Sequence, residues 1–378
     1  MNLLITAISS ATGPSGICRH ACNLVRCAAS REEVLQITLA IGKWQEPYFQ
    51  NSFKLEDAKL TVVAVDIAND AFARNLWHLQ NLPNLADDVA ADIVHLSFPV
   101  PIRRSSLRCP VVVSLHDLYP YDEPDNFGFP KVFFNRVFLQ QCLKEVDSIA
   151  CVSEATLSRV RERFPRFASR KAVVVYNCVT IDADESAWTA GERCRFVLMV
   201  AQHRANKNIV LAVKVFEELL QRKTVQQHTL LLVVGNRGPE TPAIESAIKR
   251  MALEKNVRLV DSVSDGELRW LYSNCEVLLA PSLVEGFGLS VAEGLLCGSR
   301  VVCSDIPAFR EIGGEACHYF DLHAESGSAA MVSVIANALN TLAGPRDTHV
   351  RFSLEHVARE YAVLYSRLQE ASLDTVER

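Results

Sequence analysis

Short runs of Val, Ile and Leu alternate along the whole chain with longer segments of helical apolar spacing, and this alternation restricts the fold more than any other feature. Runs that are apolar at nearly every position suit strands buried on both faces, as in a parallel sheet covered by helices on each side. In the first half the runs are 3–8, 61–65, 93–96, 111–115, 148–152 and 173–176. A polar stretch, 180–193, has the charge and aperiodicity of a linker. The pattern then restarts at 196–201, 230–235, 257–260, 277–280, 301–303 and 318–320. The expectation is an α/β chain of two Rossmann-like domains, 1–185 and 186–352, facing a central cleft. A last helix, 353–378, is free in this reading to pack back across the first domain. Open parallel sheets bind ligands beyond the carboxyl ends of their strands, so functional residues are sought in the loops that follow strands.

Composition removes several classes. With 49% apolar residues among 378, the chain has enough material for two cores and is not disordered. Its 39 Lys+Arg nearly balance 44 Asp+Glu, so no global field draws it to a polyanion and no nucleic-acid partner is expected. No apolar run approaches the roughly 20 residues of a membrane span. The first residues lack the basic start and long apolar stretch of a signal peptide, which places the protein in the cytoplasm in this reading. Twelve cysteines are scattered without a Cys-x-x-Cys pair and suit buried thiols in a reducing compartment. Only Cys18, Cys22 and Cys27 cluster, and zinc there needs a further ligand that His20, off that face, does not supply; no metal or cofactor is expected.

The most specific segment is 281–298, PSLVEGFGLSVAEGLLCG. A strand ends before it, a loop carries Glu285, Gly286, Phe287 and Gly288, and a helix starting near Leu289 carries Glu293. Glycines let backbone approach a ligand, and the N–H groups of a helix start attract anionic oxygens, so phosphate is the natural occupant. Two carboxylates across this turn suit paired hydroxyls of a sugar or ribose. Either Glu alone reads as a solvated charge, whereas the pair inside a glycine loop favours binding.

With Glu285-Gly-Phe-Gly-Leu, Glu293, Gly298, Ser304-Asp-Ile-Pro and Glu311, the chain resembles the family 4 retaining glycosyltransferases, which have the two-domain GT-B fold. The resemblance implies that Glu285 contacts the donor sugar and Glu293 the ribose of a nucleotide-diphosphate sugar. It also implies a basic pair on the diphosphate in the segment VAQHRANKN, 200–208. Lys207 matches the family lysine; an arginine often stands five residues before it, where this chain has Gln202, and Arg204 is expected to substitute. In the first half the resemblance assigns Gly16, in the loop and helix start after the first strand, to the donor phosphate. It assigns His116, at the end of 111–115, to the neighbourhood of the sugar C6 hydroxyl. Arg19 and His20 are further candidate contacts or plain surface residues. Asp117 reads as a loop orienter, and Ser153-Glu154 as a helix cap.

No carboxylate stands out as a nucleophile beneath the anomeric carbon, the arrangement used by many retaining glycosidases. The resemblance instead implies front-face attack by an acceptor hydroxyl, with the leaving phosphate taking its proton and no metal required. The acceptor expected from the family is a glycan or a lipid-linked glycan of bacterial surface polysaccharide synthesis. Two segments, 131–145 and 157–171, combine basic and aromatic residues suited to anionic headgroups, hence to peripheral contact at the inner membrane face. A packed helix and a solvated face are their ordinary readings. The rival functions are a non-catalytic nucleotide-sugar-binding or scaffold protein and a sugar-nucleotide epimerase. A dinucleotide oxidoreductase fits less well, because the first loop, ATGPSG, lacks the full Gly-x-Gly-x-x-Gly.

Overall fold

The computed structural model describes every residue except 14, 54, 123, 125–129, 182–194, 323–326, 342–349 and 377–378. Nearly all of the stretch read as a linker, together with Cys194, lies outside the described residues. The chain divides into two compact units, Met1–Thr180 with Val350–Arg378, and Ile181–His349.

The first unit is built on strands β1 (Asn2–Thr6), β2 (Gln36–Gly42), β3 (Leu60–Val65), β4 (Ile93–Leu96), β5 (Val111–Leu115), β6 (Ser148–Cys151) and β7 (Ala172–Val174). They form one parallel sheet in the order β3-β2-β1-β4-β5-β6-β7. Both faces of β1 are buried: Leu3 and Ile5 enter one core and Leu4 the other. The sequence pattern omits β2. Its Ile37, Leu39 and Ile41 fill one core while Thr38 and Ala40 turn the other way, so the strand carries no continuous run of branched residues. The C-terminal helix Leu354–Val376 packs along the helix Gly16–Ala29 within this unit. Val357, Ala358, Tyr361, Leu364 and Tyr365 recur at helical spacing and lie in the same core as Leu3 and Ile5.

The second unit has strands β8 (Phe196–Val200), β9 (Leu230–Val234), β10 (Val257–Val260), β11 (Val277–Ala280), β12 (Val301–Ser304) and β13 (Cys317–Phe320). They are parallel in the order β10-β9-β8-β11-β12-β13. Each sheet reverses its winding once, between β1 and β4 in the first unit and between β8 and β11 in the second. At such a reversal the loops diverge and leave a crevice beyond the strand ends, which is where doubly wound sheets take ligands. The loops that leave β8 and β11 are those carrying Arg204, Lys207 and Glu285.

Among the described residues no helix is long and apolar enough to cross a membrane. None of the eleven described cysteines is in a disulfide; ten are buried, and Cys297, read from sequence as buried, is half-buried because it sits at the exposed end of its helix.

Candidate functional site

The loops after β8 and β11 are tied together by Asn206. The Leu283 N–H donates to the Asn206 carbonyl at 2.8 Å, and the Asn206 amide donates to the Val284 carbonyl at 3.3 Å. This fixes the 3₁₀ turn Ala205–Lys207 against the segment leading to Glu285. Lys207 Nζ then meets Glu285 Oε1 at 2.5 Å, and Ser282 Oγ donates to the same oxygen at 2.7 Å. Asn208 follows in the left-handed conformation (φ 54°), which asparagine tolerates, and turns the chain into the helix Ile209–Gln221. Lys207 therefore precedes that helix, and its charge is balanced by a carboxylate rather than left against the helix dipole. Both donors act on Oε1, so Oε2 of Glu285 keeps its acceptor capacity. The pair is partly shielded, with side chains 24% and 12% exposed, which makes the ammonium and carboxylate stronger partners for a ligand than surface charges are. Arg204, at the head of the same turn, is exposed.

Gly288 caps the helix Leu289–Leu296 at φ +101°. A Cβ there meets the buried Phe309 ring at 2.7 Å, so both conformation and space demand glycine. Gly288→Ala is expected to lower stability by about 2 kcal/mol, seen as a fall in the thermal midpoint. The Val291 and Ala292 N–H groups donate to the Gly288 carbonyl at 3.0 and 3.1 Å, so it is the N–H groups of Leu289 and Ser290 that precede the intrahelical ladder, the arrangement that receives phosphate oxygens. One turn along, Glu293 is buried, and the Tyr272 hydroxyl donates to its Oε2 at 2.9 Å. Tyr272 is held in turn by Ser299 Oγ on its carbonyl at 2.6 Å. Gly294 lets the helix lie against β11, since a Cβ at that position stands 2.4 Å from Leu278 Cδ2. Phe287 is buried beneath the loop, and Gly286 is half-buried.

In the first unit, Gly16 is the exposed first residue of the helix Gly16–Ala29, whose cap, Ser15 Oγ, accepts from the Cys18 N–H at 3.3 Å. Gly13 has open space where a Cβ belongs, so no steric need fixes glycine there. His116 follows β5, and its Nε2 donates to the Ser97 carbonyl at 2.9 Å, which leaves Nδ1 as the acceptor of a neutral ring. Burial lowers its pKa and keeps the ring uncharged. His20, read as a ligand contact or a surface residue, is not on the surface: it is 3% exposed, with Nε2 at 2.8 Å from Ser114 Oγ. The helical period places it on the core face of its helix. Arg19 instead lies over the Phe53 ring, 6.0 Å from its centroid. Asp117 accepts from the Tyr119 N–H at 3.0 Å, and Ser153 from the Thr156 N–H at 3.0 Å; both are local loop and cap contacts.

Sequence reading missed Ser282, Asn206 and Tyr272. Ser282, three residues before Glu285, carries a local signal as a small donor in the same loop. Asn206 and Tyr272 act on partners 78 and 21 residues away along the chain and carry none.

Two family profiles match. The one described as Glycosyltransferase Family 4 covers residues 14–183, and the one described as Glycosyl transferases group 1 covers residues 181–333. Among curated proteins, the O-antigen chain mannosyltransferase RfbU of Salmonella typhimurium is 28% identical over 200 residues, 53% of each chain. The O-antigen chain mannosyltransferase B of Escherichia coli is 25% identical over 218 residues, 54% of this chain and 55% of that one. The chain thus spans about half the length of the curated relatives it matches. Solved structures share the fold over nearly the full length. Anabaena Alr3699/HepE in complex with UDP and glucose has a TM-score of 0.62 at 16% identity, covering 100% and 99% of the two chains. WaaG, a glycosyltransferase involved in lipopolysaccharide biosynthesis, has 0.66 at 16% identity, covering 98% of each. The two profiles run without a gap from residue 14 to residue 333, each sheet is doubly wound, and the chain belongs to the family 4 glycosyltransferases of GT-B fold.

Proposed function

We propose that this protein transfers a sugar from a nucleotide-diphosphate sugar to an acceptor hydroxyl, with retention at the anomeric carbon, during bacterial surface polysaccharide assembly. The observation that carries the reading is the Lys207–Glu285–Ser282 cluster at the point where the second sheet reverses. Glu285 Oε2 takes a hydroxyl of the donor sugar. Glu293 takes the ribose. Lys207, Arg204 and the first turn of the helix Leu289–Leu296 hold the diphosphate and gain strength as charge accumulates on it. The neutral His116, accepting through Nδ1, suits the C6 hydroxyl. The departing phosphate removes the acceptor proton, so catalysis rests on fixed charge and needs neither a covalent enzyme intermediate nor a metal.

Thermal shift with UDP-, GDP- and ADP-sugars tests donor binding. A ligand at about 100 times its Kd adds close to 3 kcal/mol, so one nucleotide class is expected to raise the midpoint while NAD does not. Glu293→Ala is expected to erase that rise. Radiolabelled donors with mixed acceptors and excess chelator are then expected to yield glycosylated product. Binding without transfer would favour a scaffold, and release of an altered free sugar without acceptor an epimerase.

A second reading concerns the acceptor side. On the helix Lys131–Glu145, Phe133 and Phe134 are 56% and 51% exposed, so it is not the wholly packed helix its apolar content suggests. Arg136 of that helix and Arg163 of the helix Glu154–Arg163 flank the Tyr121 ring at 5.0 and 4.6 Å. We propose that these residues meet the anionic surface of the cytoplasmic membrane, where a lipid-linked acceptor resides. Sedimentation with phosphatidylglycerol vesicles is expected, and the double change Phe133→Ser, Phe134→Ser is expected to weaken it about tenfold. Equal recovery with zwitterionic vesicles would refute it.

A further inference from the structure

Within the first unit a chain of buried polar groups runs from the C-terminal helix to His116. Tyr365, 3% exposed, has its hydroxyl 2.5 Å from His95 Nδ1. His95 Nε2 lies 2.8 Å from Ser114 Oγ, and Ser114 Oγ lies 2.8 Å from His20 Nε2. The His20 ring then stands edge-on to His116 at 90°, with centroids 4.6 Å apart. Every member between Tyr365 and His20 is buried, so each group depends on its neighbour for a hydrogen-bond partner.

The direction of the chain follows from donor counting. Burial keeps the Tyr365 phenol protonated, and His95 Nδ1 is the one hydrogen-bond partner of its hydroxyl among the described residues, so the buried O–H places its hydrogen there. Burial also pushes His95 down to about 3 and holds His20 well below its usual value, so both rings are neutral. A neutral His95 that accepts at Nδ1 donates from Nε2 to Ser114. Ser114 then donates its single hydrogen to His20 Nε2, which leaves the His20 proton on Nδ1. One phenol thus selects the tautomer of two histidines in series. Isolated packing histidines need no such order.

We propose that Tyr365 is a positioning residue for His116, acting through His95, Ser114 and His20. A helix contributed by the last residues of the chain thereby sets the ring that follows β5. The proposal rests on the assignment of His116 to the donor sugar, and the test reads the ring itself so that the two fail separately.

The full chain, isotope-labelled at the histidine nitrogens and free of ligand, is compared with Tyr365→Phe and Ser114→Ala by nitrogen–proton correlation spectroscopy. Tyr365→Phe keeps the ring that packs in the core, and an unchanged thermal midpoint checks its fold. The wild type is expected to show protons at Nε2 of His95 and His116 and at Nδ1 of His20. In Tyr365→Phe both His95 and His20 are expected to average between tautomers; in Ser114→Ala, where Tyr365 still fixes His95, His20 alone is expected to do so; in both the His116 ring signals are expected to move. With UDP-glucose or GDP-mannose, whichever gives the larger thermal shift, kcat of Tyr365→Phe is expected to fall about tenfold at unchanged donor KM. His116 signals identical to wild type in folded Tyr365→Phe would overturn the link, whatever the activity. Wild-type turnover in His116→Ala would overturn instead the sugar assignment on which the link acquires catalytic meaning.

Discussion

Replacing Glu285 by alanine is expected to lower kcat/KM for sugar transfer by about 1,000-fold or more, while the thermal midpoint moves by only about 3 °C. The two effects separate because the carboxylate has different duties in the two states. In the free protein it pairs with a lysine that is 24% exposed, and a pair so placed contributes on the order of 1 kcal/mol. In the proposed reacting complex it faces a ring that becomes oxocarbenium-like, and beside that developing charge a fixed carboxylate matters several-fold more than it does in the free protein. Glu285→Gln sharpens the test. The amide keeps an oxygen for the Ser282 hydroxyl and nearly the same shape, yet it removes the charge. If charge is the catalytic quantity, Gln is expected to be almost as inactive as Ala. If positioning is, Gln keeps most of the rate. Turnover near wild type in both variants would remove Glu285 from the mechanism.

How far the site was legible in the sequence depends on how far its contacts reach along the chain. Glu285, Gly288 and Glu293 share one strand–loop–helix passage, so local glycine and carboxylate spacing suffices to single them out. The need for Gly288 comes partly from its own φ and partly from Phe309, twenty-one residues on, which no local pattern announces. His20 shows the opposite failure. Next to a glycine loop it looks like a ligand contact, but the sheet brings Ser114 to it from 94 residues away and the site becomes a core contact. The doubly wound architecture was legible because burial on both faces imposes continuous apolar runs. β2 was not, because its second face packs through Thr38 and Ala40. Polar partnerships such as Tyr272 with Glu293 and Tyr365 with His95 depend on tertiary contact alone.

Lys207→Met is expected to reduce kcat by about 1,000-fold with a much smaller change in donor KM, because the diphosphate carries more charge on leaving than it does when bound. Its partner makes the sharper prediction. Lys207 and Glu285 meet at 2.5 Å across two loops that Asn206 ties together, so neither side chain holds its place unaided. Loss of Lys207 leaves Glu285, 12% exposed, with the Ser282 hydroxyl as the one remaining donor on Oε1 among the described residues, and the carboxylate then has reason to swing toward solvent. Loss of Glu285 equally frees the ammonium. Each single change therefore removes part of the other residue's contribution, and the double variant Glu285→Ala, Lys207→Met is expected near 10⁴-fold below wild type, on the order of 100-fold above the product of the singles. Lys207→Arg is not expected to rescue, because the planar guanidinium cannot place one compact charge on Oε1 beside Ser282. Strict multiplicativity in this cycle would show that the two groups act on the donor independently and that their contact in the free protein has no part in organising the site.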